Sequence, residues 1–454
     1  MLIRFSIENF LSFADRTEIS MIPGKSRVKS HHIIPAEKSR DIPILKTAII
    51  YGANASGKSN LAKALDFTRK FVLLGTRTEN EKIGYRNFRL DKSFVDRPSR
   101  IELEIKHQNK NYAYGFEFNN TEILEEWLFE VNKDADKSIF ERKSELGKSI
   151  YDFSGIKFKN KEEKQFLKFT GDGTRKNQLF ITECKVRNVR NNVTDLDDIF
   201  NVLDWFQNTL RIIFPNTKHK RGIEFELRDN QNIYEIFNEF LEYFNTGIKG
   251  VDLEEVSIED IPDLNDFKDV LFDESEAKQV FVSDTYRNIT YSISRDANGE
   301  LKLSKMMTKH AVKNSDVDEL FEVNEESDGT QRILDFIPVI MDLFKGDNVF
   351  VIDEIDRSLH PNLTYDMIDL FLSKSKGINS QIIITTHESS LLSQKLIRKD
   401  EVWFVVKDQF GASSFYSLEE FKIRFDKEIR KDYLLGRFKA VPVFGSRNHL
   451  TVIN

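Results

Sequence analysis

The octet GANASGKS, from Gly52 to Ser59, limits what this chain can fold into more than any other feature. An apolar run at 48–51 precedes it, and Leu61, Leu65, Thr68 and Val72 follow at spacings of four, three and four. That order predicts strand, glycine loop, helix. Backbone N–H groups of such a loop, backed by the positive end of a helix, converge on an anion. Gly52 and Gly57 let the chain turn tightly and approach closely.

A phosphate chain is the anion that suits a Gly-x-x-x-x-Gly-Lys-Ser/Thr loop in this setting. Lys58 is expected to reach the β and γ phosphates of ATP and the Ser59 hydroxyl to ligate Mg2+. Asn54, Ala55, Ser56 and Asn60 complete the cradle with the two glycines. The bland alternative is an ordinary glycine-rich turn at a strand–helix junction.

Two further pieces belong with the loop. In NVFVIDEID the run 349–352 reads as a buried strand with Asp353 and Glu354 where it emerges. The carboxyl ends of strands are the usual ligand edge of an α/β sheet, so Asp353 is expected to hold Mg2+. Glu354 is expected to orient, or take a proton from, the water that attacks the γ phosphate. After the apolar run 382–384, Thr385, Thr386 and His387 again place polar groups at a strand end. Alone, the Asp-Glu pair reads as a solvated helix start and His387 as a surface group.

The rest of the chain reads as α/β organisation. Residues 2–7 form a strand with a hairpin partner at 16–22, and the basic stretch 25–40 reads as a loop. Period-two alternation from 85 to 129, with a return at 112–118 and a second hairpin around 128–140, predicts antiparallel strands. Helices are expected at 195–214, 233–244 and 330–344, and strand-like alternation at 279–307 with a turn at 296–299. The runs 349–352, 381–385 and 402–406 read as strands, the first two as parallel ones buried on both faces. The expected division is an N-terminal ATPase part at 1–189, an inserted helical and mixed lobe at 190–325 and a C-terminal ATPase part at 326–454.

Composition removes other classes. The 67 basic and 74 acidic residues give a net charge of −7, which builds no general nucleic-acid face, although basic residues at 211–221 and 422–439 keep DNA contact open. The single cysteine, Cys184, suits a reducing compartment and reads as a small buried residue. His31, His32, His310 and His360 lack the spacing of a zinc site. No apolar run has membrane-span length and the opening has no signal-peptide pattern, so no membrane association and a cytoplasmic location are expected. Gln178 is a candidate for the glutamine that contacts Mg2+, or else a helix cap.

With these motifs in order, the chain resembles an ATP-binding-cassette (ABC) class ATPase head, and more narrowly the OLD-like and AAA-15 group of bacterial ATPases. The segments IENFLSF, GANASGKSN, NQLFITECKVRN, SDGTQRI, VIDEID with SLHP, ITTH and RKDYLLGRFKAVP carry the likeness across nearly the whole length. It implies a P-loop NTPase of ABC type with an antiparallel β subdomain and an inserted lobe. It also implies that Ser327, Gly329 and Gln331 form the signature that approaches ATP held by a second copy. Asp356 would lie on the loop crossing the dimer seam, and His387 would be the switch histidine beside the γ phosphate. The signature reads ESDGTQ instead of leucine-serine-glycine-glycine-glutamine, and Ser327 also reads as a plain helix N-cap.

The resemblance further implies a homodimer or higher oligomer sandwiching two ATP molecules, and a separate effector protein such as a nuclease, in anti-phage defence. A DNA-clamping repair or chromosome-maintenance ATPase is the main alternative. A small-substrate kinase and a transporter subunit are weaker ones.

Overall fold

The computed structural model describes residues 1–37, 41–132, 135–217, 223–257, 279–284, 289–295, 301–421 and 428–442. The chain divides into two compact units: Met1–Pro215 with Leu343–Arg357 and Tyr365–Asn454, and Asn216–Asp342 with Ser358–Thr364.

Among the described residues the first unit contains a six-stranded and a seven-stranded sheet. The six-stranded sheet runs Leu210–Ile213, Val349–Ile352, Gln381–Thr386, Thr47–Tyr51, Val402–Lys407, Ser413–Ser417. Its first five strands are parallel and the last is antiparallel. Val349–Ile352, Gln381–Thr386 and Thr47–Tyr51 are buried at every position. That is why they read as unbroken apolar runs: a parallel sheet is covered on both faces.

The seven-stranded sheet is antiparallel, in the order Lys148–Asp152, Lys137–Glu145, Ile123–Glu130, Lys110–Phe118, Ser99–His107, Leu2–Glu8, Thr17–Ser20. Ile101, Leu103 and Ile105 are buried on one strand, and Tyr112, Tyr114, Phe116 and Phe118 on its neighbour. This period-two face meets the helix Lys58–Leu74: Phe67 stacks on Phe118 at 5.7 Å, and Phe71 meets Phe116 edge-on at 5.8 Å. One apolar cluster therefore runs from the antiparallel sheet through the helix to Ala48, Val351 and Ile383 of the parallel sheet. Each fully buried aromatic or aliphatic side chain contributes about 1.5–3 kcal/mol.

Two local expectations change. The helix expected at 195–214 ends early: Asp197–Asp204 is α-helical, Trp205–Thr209 is a π-helical turn and Leu210–Ile213 is a strand. The apolar residues of LRII satisfy either period, and the parallel ladder with Val349–Ile352 decides between them. The stretch 25–40 is not loop throughout its described part, because Ser30–His32 forms a 3-10 turn and Ile33–Ile34 pairs with Ile44–Leu45.

In the second unit, Gly250–Val256, Leu301–His310, Ile289–Arg295 and Gln279–Asp284 form an antiparallel sheet, and Glu319–Glu322 adds to Leu301–His310. Tyr291, Ile293 and Leu303 make its apolar cluster. The helices Ile223–Asp229 and Gln231–Tyr243 belong to this unit. The turn expected at 296–299 lies outside the described residues. Residues 190–215, expected within the inserted lobe, belong to the first unit, and residues 326–342, expected in the C-terminal ATPase part, belong to the second. Among the described residues no helix is long and apolar enough to cross a membrane.

Candidate functional site

The strands Val349–Ile352, Gln381–Thr386 and Thr47–Tyr51 are adjacent and parallel, so the segments leaving their carboxyl ends emerge at one sheet edge. Those segments are Asp353 with Glu354, His387, and the loop from Gly52 to Gly57. Residues far apart in sequence thus share the edge where open α/β sheets bind ligands.

The loop turns through two left-handed residues, Ala55 at φ 62° and Gly57 at φ 114°. Gly57 has no alternative: a Cβ there would sit 2.5 Å from Ser413 Oγ and 2.9 Å from Ser12 Oγ. It precedes the helix Lys58–Leu74, whose first N–H groups have no intrahelical acceptors. Asn54 and Ala55 are exposed, whereas Gly52, Ser56, Gly57 and Lys58 are buried.

Lys58 Nζ donates to Gly52 O at 2.8 Å and to Ala53 O at 3.2 Å. Burial pushes its pKa down to about 8, against the opposing pull of Asp353, Glu354 and Asp356. The ammonium and the three carboxylates therefore share one electrostatic site. His387 is exposed at the same edge, and its pKa is lowered first by partial desolvation and then by Lys58, with Asp356 opposing.

Neighbouring strands hold the Asp353 and Asp356 side chains and the Glu354 backbone. Asp353 is buried; its N–H donates to Ile213 O at 2.9 Å, and its Oδ1 accepts from Thr385 Oγ1 at 2.7 Å. Glu354 sits at φ 51°, a left-handed conformation uncommon for a non-glycine residue. Asp356 Oδ1 accepts from Thr386 Oγ1 at 2.7 Å, and both of its oxygens lie 3.4 Å from the His387 backbone nitrogen.

Asn60, expected in the cradle, turns to the outside of the loop. Its Nδ2 donates to Ser12 Oγ at 2.8 Å; Ser12 Oγ and Ser413 Oγ lie 2.8 Å apart, and Ser413 Oγ donates to Ser56 O at 2.6 Å. A hydroxyl carries one hydrogen, so with that of Ser413 committed to Ser56, the proton between the two serines belongs to Ser12. The result is a one-way chain bracing the loop from outside. Sequence reasoning missed Ser413, which nothing local marks. Ser12 lies in IENFLSF, the only signal that could have drawn attention to it.

The signature segment lies in the second unit. Ser327 Oγ accepts from Thr330 N at 3.2 Å, the bond of an N-cap to the helix Asp328–Lys345. Gln331 Nε2 donates to Glu326 O at 2.8 Å, and a Cβ on Gly329 would lie 3.0 Å from Ser358 O. Ser327 remains exposed.

Gln178 is removed from the metal question. Its Oε1 accepts from Thr76 N at 2.9 Å, just past the C-terminal end of the helix that begins at Lys58. That helix is 17 residues long, which separates its ends by roughly 25 Å at about 1.5 Å per residue. The histidines have local partners: His32 Nδ1 lies 2.9 Å from Glu401 Oε1, His310 Nε2 lies 2.6 Å from Glu326 Oε1, and His360 Nδ1 accepts from Asn362 N at 3.2 Å. Cys184 is fully buried, and burial raises its thiol pKa.

No curated protein matches the chain in sequence. Similar solved structures include the SMC head domain from Thermotoga maritima, at 11% identity and TM-score 0.36 over 92% of this chain and 98% of that one. An SmcHead bound to the C-winged helix domain of ScpA matches at 13% identity and TM-score 0.39, over 92% and 97%. An Smc head domain with an extended coiled coil, bound to the C-terminal domain of ScpA derived from Pyrococcus furiosus, matches at 12% and 0.34, over 96% and 99%. The model of the family described as "AAA domain, putative AbiEii toxin, Type IV TA system" matches residues 48–393, most of the chain and all of the three site-edge strands but Thr47. The chain belongs to that family, and the glycine loop between a central parallel strand and a helix gives it the fold of a P-loop NTPase.

Proposed function

We propose that this protein binds and hydrolyses ATP, and that ATP joins two copies of it into a dimer that controls a separate effector protein. The reading is carried by one observation: Lys58, Asp353, Glu354 and His387 gather at the carboxyl ends of three adjoining parallel strands.

In this reading the amides of Asn54, Ala55 and Gly57 cradle the phosphates, those of Ser56 and Asn60 being engaged by Ala53 O at 3.1 Å and Gly57 O at 3.0 Å, and Lys58 neutralises charge between the β and γ groups. Ser59 and Asp353 would hold Mg2+. Their donor atoms are the hard oxygens this ion prefers, and among the described residues no three acidic, histidine or cysteine side chains gather to hold a metal unaided. Sharing with substrate phosphates and water fits that. When bound, the ion supplies charge neutralisation on the phosphate oxygens.

Glu354 takes a proton from the attacking water as its oxygen bonds the γ phosphorus. The bond from that phosphorus to the bridging oxygen breaks, and its electron pair leaves with ADP. Burial and Lys58 lower the His387 pKa in the free protein, which favours the neutral ring, and in this reading one ring nitrogen donates to the γ phosphate.

Ser327, Gly329 and Gln331 contact the γ phosphate bound by the second copy: an exposed hydroxyl at a helix start, over a glycine, is suited to a phosphate. Nucleotide then acts as glue between heads, through its differential affinity for closed and open dimers. The inserted lobe at 190–325 supplies partner or trigger contacts. The OLD-like and AAA-15 resemblance supports a role in anti-phage defence.

The test is phosphate release by the purified chain with ATP and Mg2+, together with sedimentation with and without nucleotide and a pull-down from the native host. Turnover, ATP-dependent dimers and a stoichiometric protein partner are expected. Salt-dependent duplex DNA binding strengthened by ATP, with no protein partner, would favour the DNA-clamp reading instead. Of its basic residues, 218–221 and 422–427 lie outside those described.

A further inference from the structure

We infer that Thr385 is the positioning residue for both acidic groups at the end of the strand Val349–Ile352. The inference rests on the hydrolytic reading above and deepens it.

Three successive residues are fastened to this one threonine. Its Oγ1 donates to Asp353 Oδ1 at 2.7 Å, the same oxygen accepts from Glu354 N at 2.9 Å, and its carbonyl accepts from Ile355 N at 3.1 Å. The donor and acceptor roles are forced: an ionised carboxylate has no hydrogen to give and a backbone N–H cannot accept. The side chain is fully buried, so no water competes for these bonds.

The geometry explains why a hydroxyl is needed here. Ile352 pairs with Ile384, so the ladder ends one residue before Asp353 lies opposite Thr385. Continued as a regular strand, the chain would put Glu354 on the opposite face of the sheet from Asp353. The chain instead enters a left-handed turn at Glu354, φ 51°, closed by Arg357 N donating to Glu354 O at 3.0 Å. Left-handed backbone offers a glutamate no local gain and persists where surrounding bonds over-determine it. Thr385 provides those bonds from the adjacent strand while fixing the plane of the Asp353 carboxylate. Thr385 thus sets the carboxylate that would face Mg2+ and the one that would face water without contacting the nucleotide itself.

The experiment compares wild type, Thr385→Val and Thr385→Ser as full chains, with MgATP as substrate. Valine keeps the shape and removes the hydroxyl; serine keeps the hydroxyl. The expected result is a kcat lowered about tenfold or more in Thr385→Val with KM and ATP affinity within about twofold, and recovery in Thr385→Ser to within about threefold. Wild-type turnover in Thr385→Val overturns the inference, as does a serine protein no better than the valine one. So does a parallel loss of affinity, turnover and melting temperature, which marks a merely structural role. A crystal structure of Thr385→Val reads the same claim without turnover: Glu354 should leave the left-handed region, and an unchanged Glu354 overturns the inference. Absence of turnover in wild type strikes the hydrolytic reading, not this one.

Discussion

Asp356 accepts a hydrogen bond from Thr386 at 2.7 Å within the same chain, one residue before His387. The aspartate that resemblance assigns to the dimer seam is thus fastened to the strand end that carries the histidine. Asp356→Ala should free that strand end, lowering turnover about tenfold while leaving ATP affinity of the isolated chain nearly unchanged. Steady-state phosphate release alongside equilibrium nucleotide binding checks this. Equal loss of both would show that Asp356 supports binding.

Glu354→Gln keeps the shape of the side chain and removes the base. ATP binding should persist, turnover should fall about a hundredfold or more, and closed dimers should accumulate. Phosphate release and light scattering in MgATP read both effects. Wild-type turnover would remove Glu354 from its role.

Lys58 carries a pH prediction. Its pKa in the folded chain is about 8, below the ordinary 10.5. Above pH 8 the free protein must take up a proton before the ammonium meets phosphate, so ATP affinity should weaken by up to about tenfold per pH unit. The stability term has the opposite slope in pH: between 8 and 10.5 the unfolded chain holds a proton that the folded chain has lost, so this group's contribution to stability rises with pH. Affinity measured from pH 7 to 10 should bend near 8 in wild type and stay flat in Lys58→Ala, which binds weakly throughout.

Ser327→Arg places a bulky cation at an exposed helix start in the second unit. Nucleotide binding by the single chain should survive, while ATP-dependent dimerisation disappears. Sedimentation of this variant in the Glu354→Gln background is the measurement, and persisting dimers would remove the signature from the seam.

Gln178→Leu removes the acceptor for Thr76 N. Leaving that buried N–H unpaired should destabilise the fold by about 1–2 kcal/mol. The Mg2+ dependence of ATP binding should not change, because Gln178 sits at the opposite end of the helix from the loop. Chemical denaturation and a Mg2+ titration separate the two effects.

What the amino-acid order determined by itself is whatever depends on near neighbours. The loop from Gly52 to Ser59 was legible because its glycines, lysine and helix start are consecutive, and the buried strands because cover on both faces leaves continuous apolar runs. Alternation at 101–105 exposed the antiparallel sheet for the same local reason. Tertiary structure decided the rest. Leu210–Ile213 became a strand because a parallel ladder was available beside Val349–Ile352. Gln178 became the acceptor for Thr76 N, just beyond a distant helix end. Ser12 braces the loop through Ser413, 401 residues away, and Thr385 holds Asp353 across 32 residues. A hydrogen bond needs its partners within about 3 Å and in the right direction, and sequence spacing fixes neither once the chain has turned back on itself.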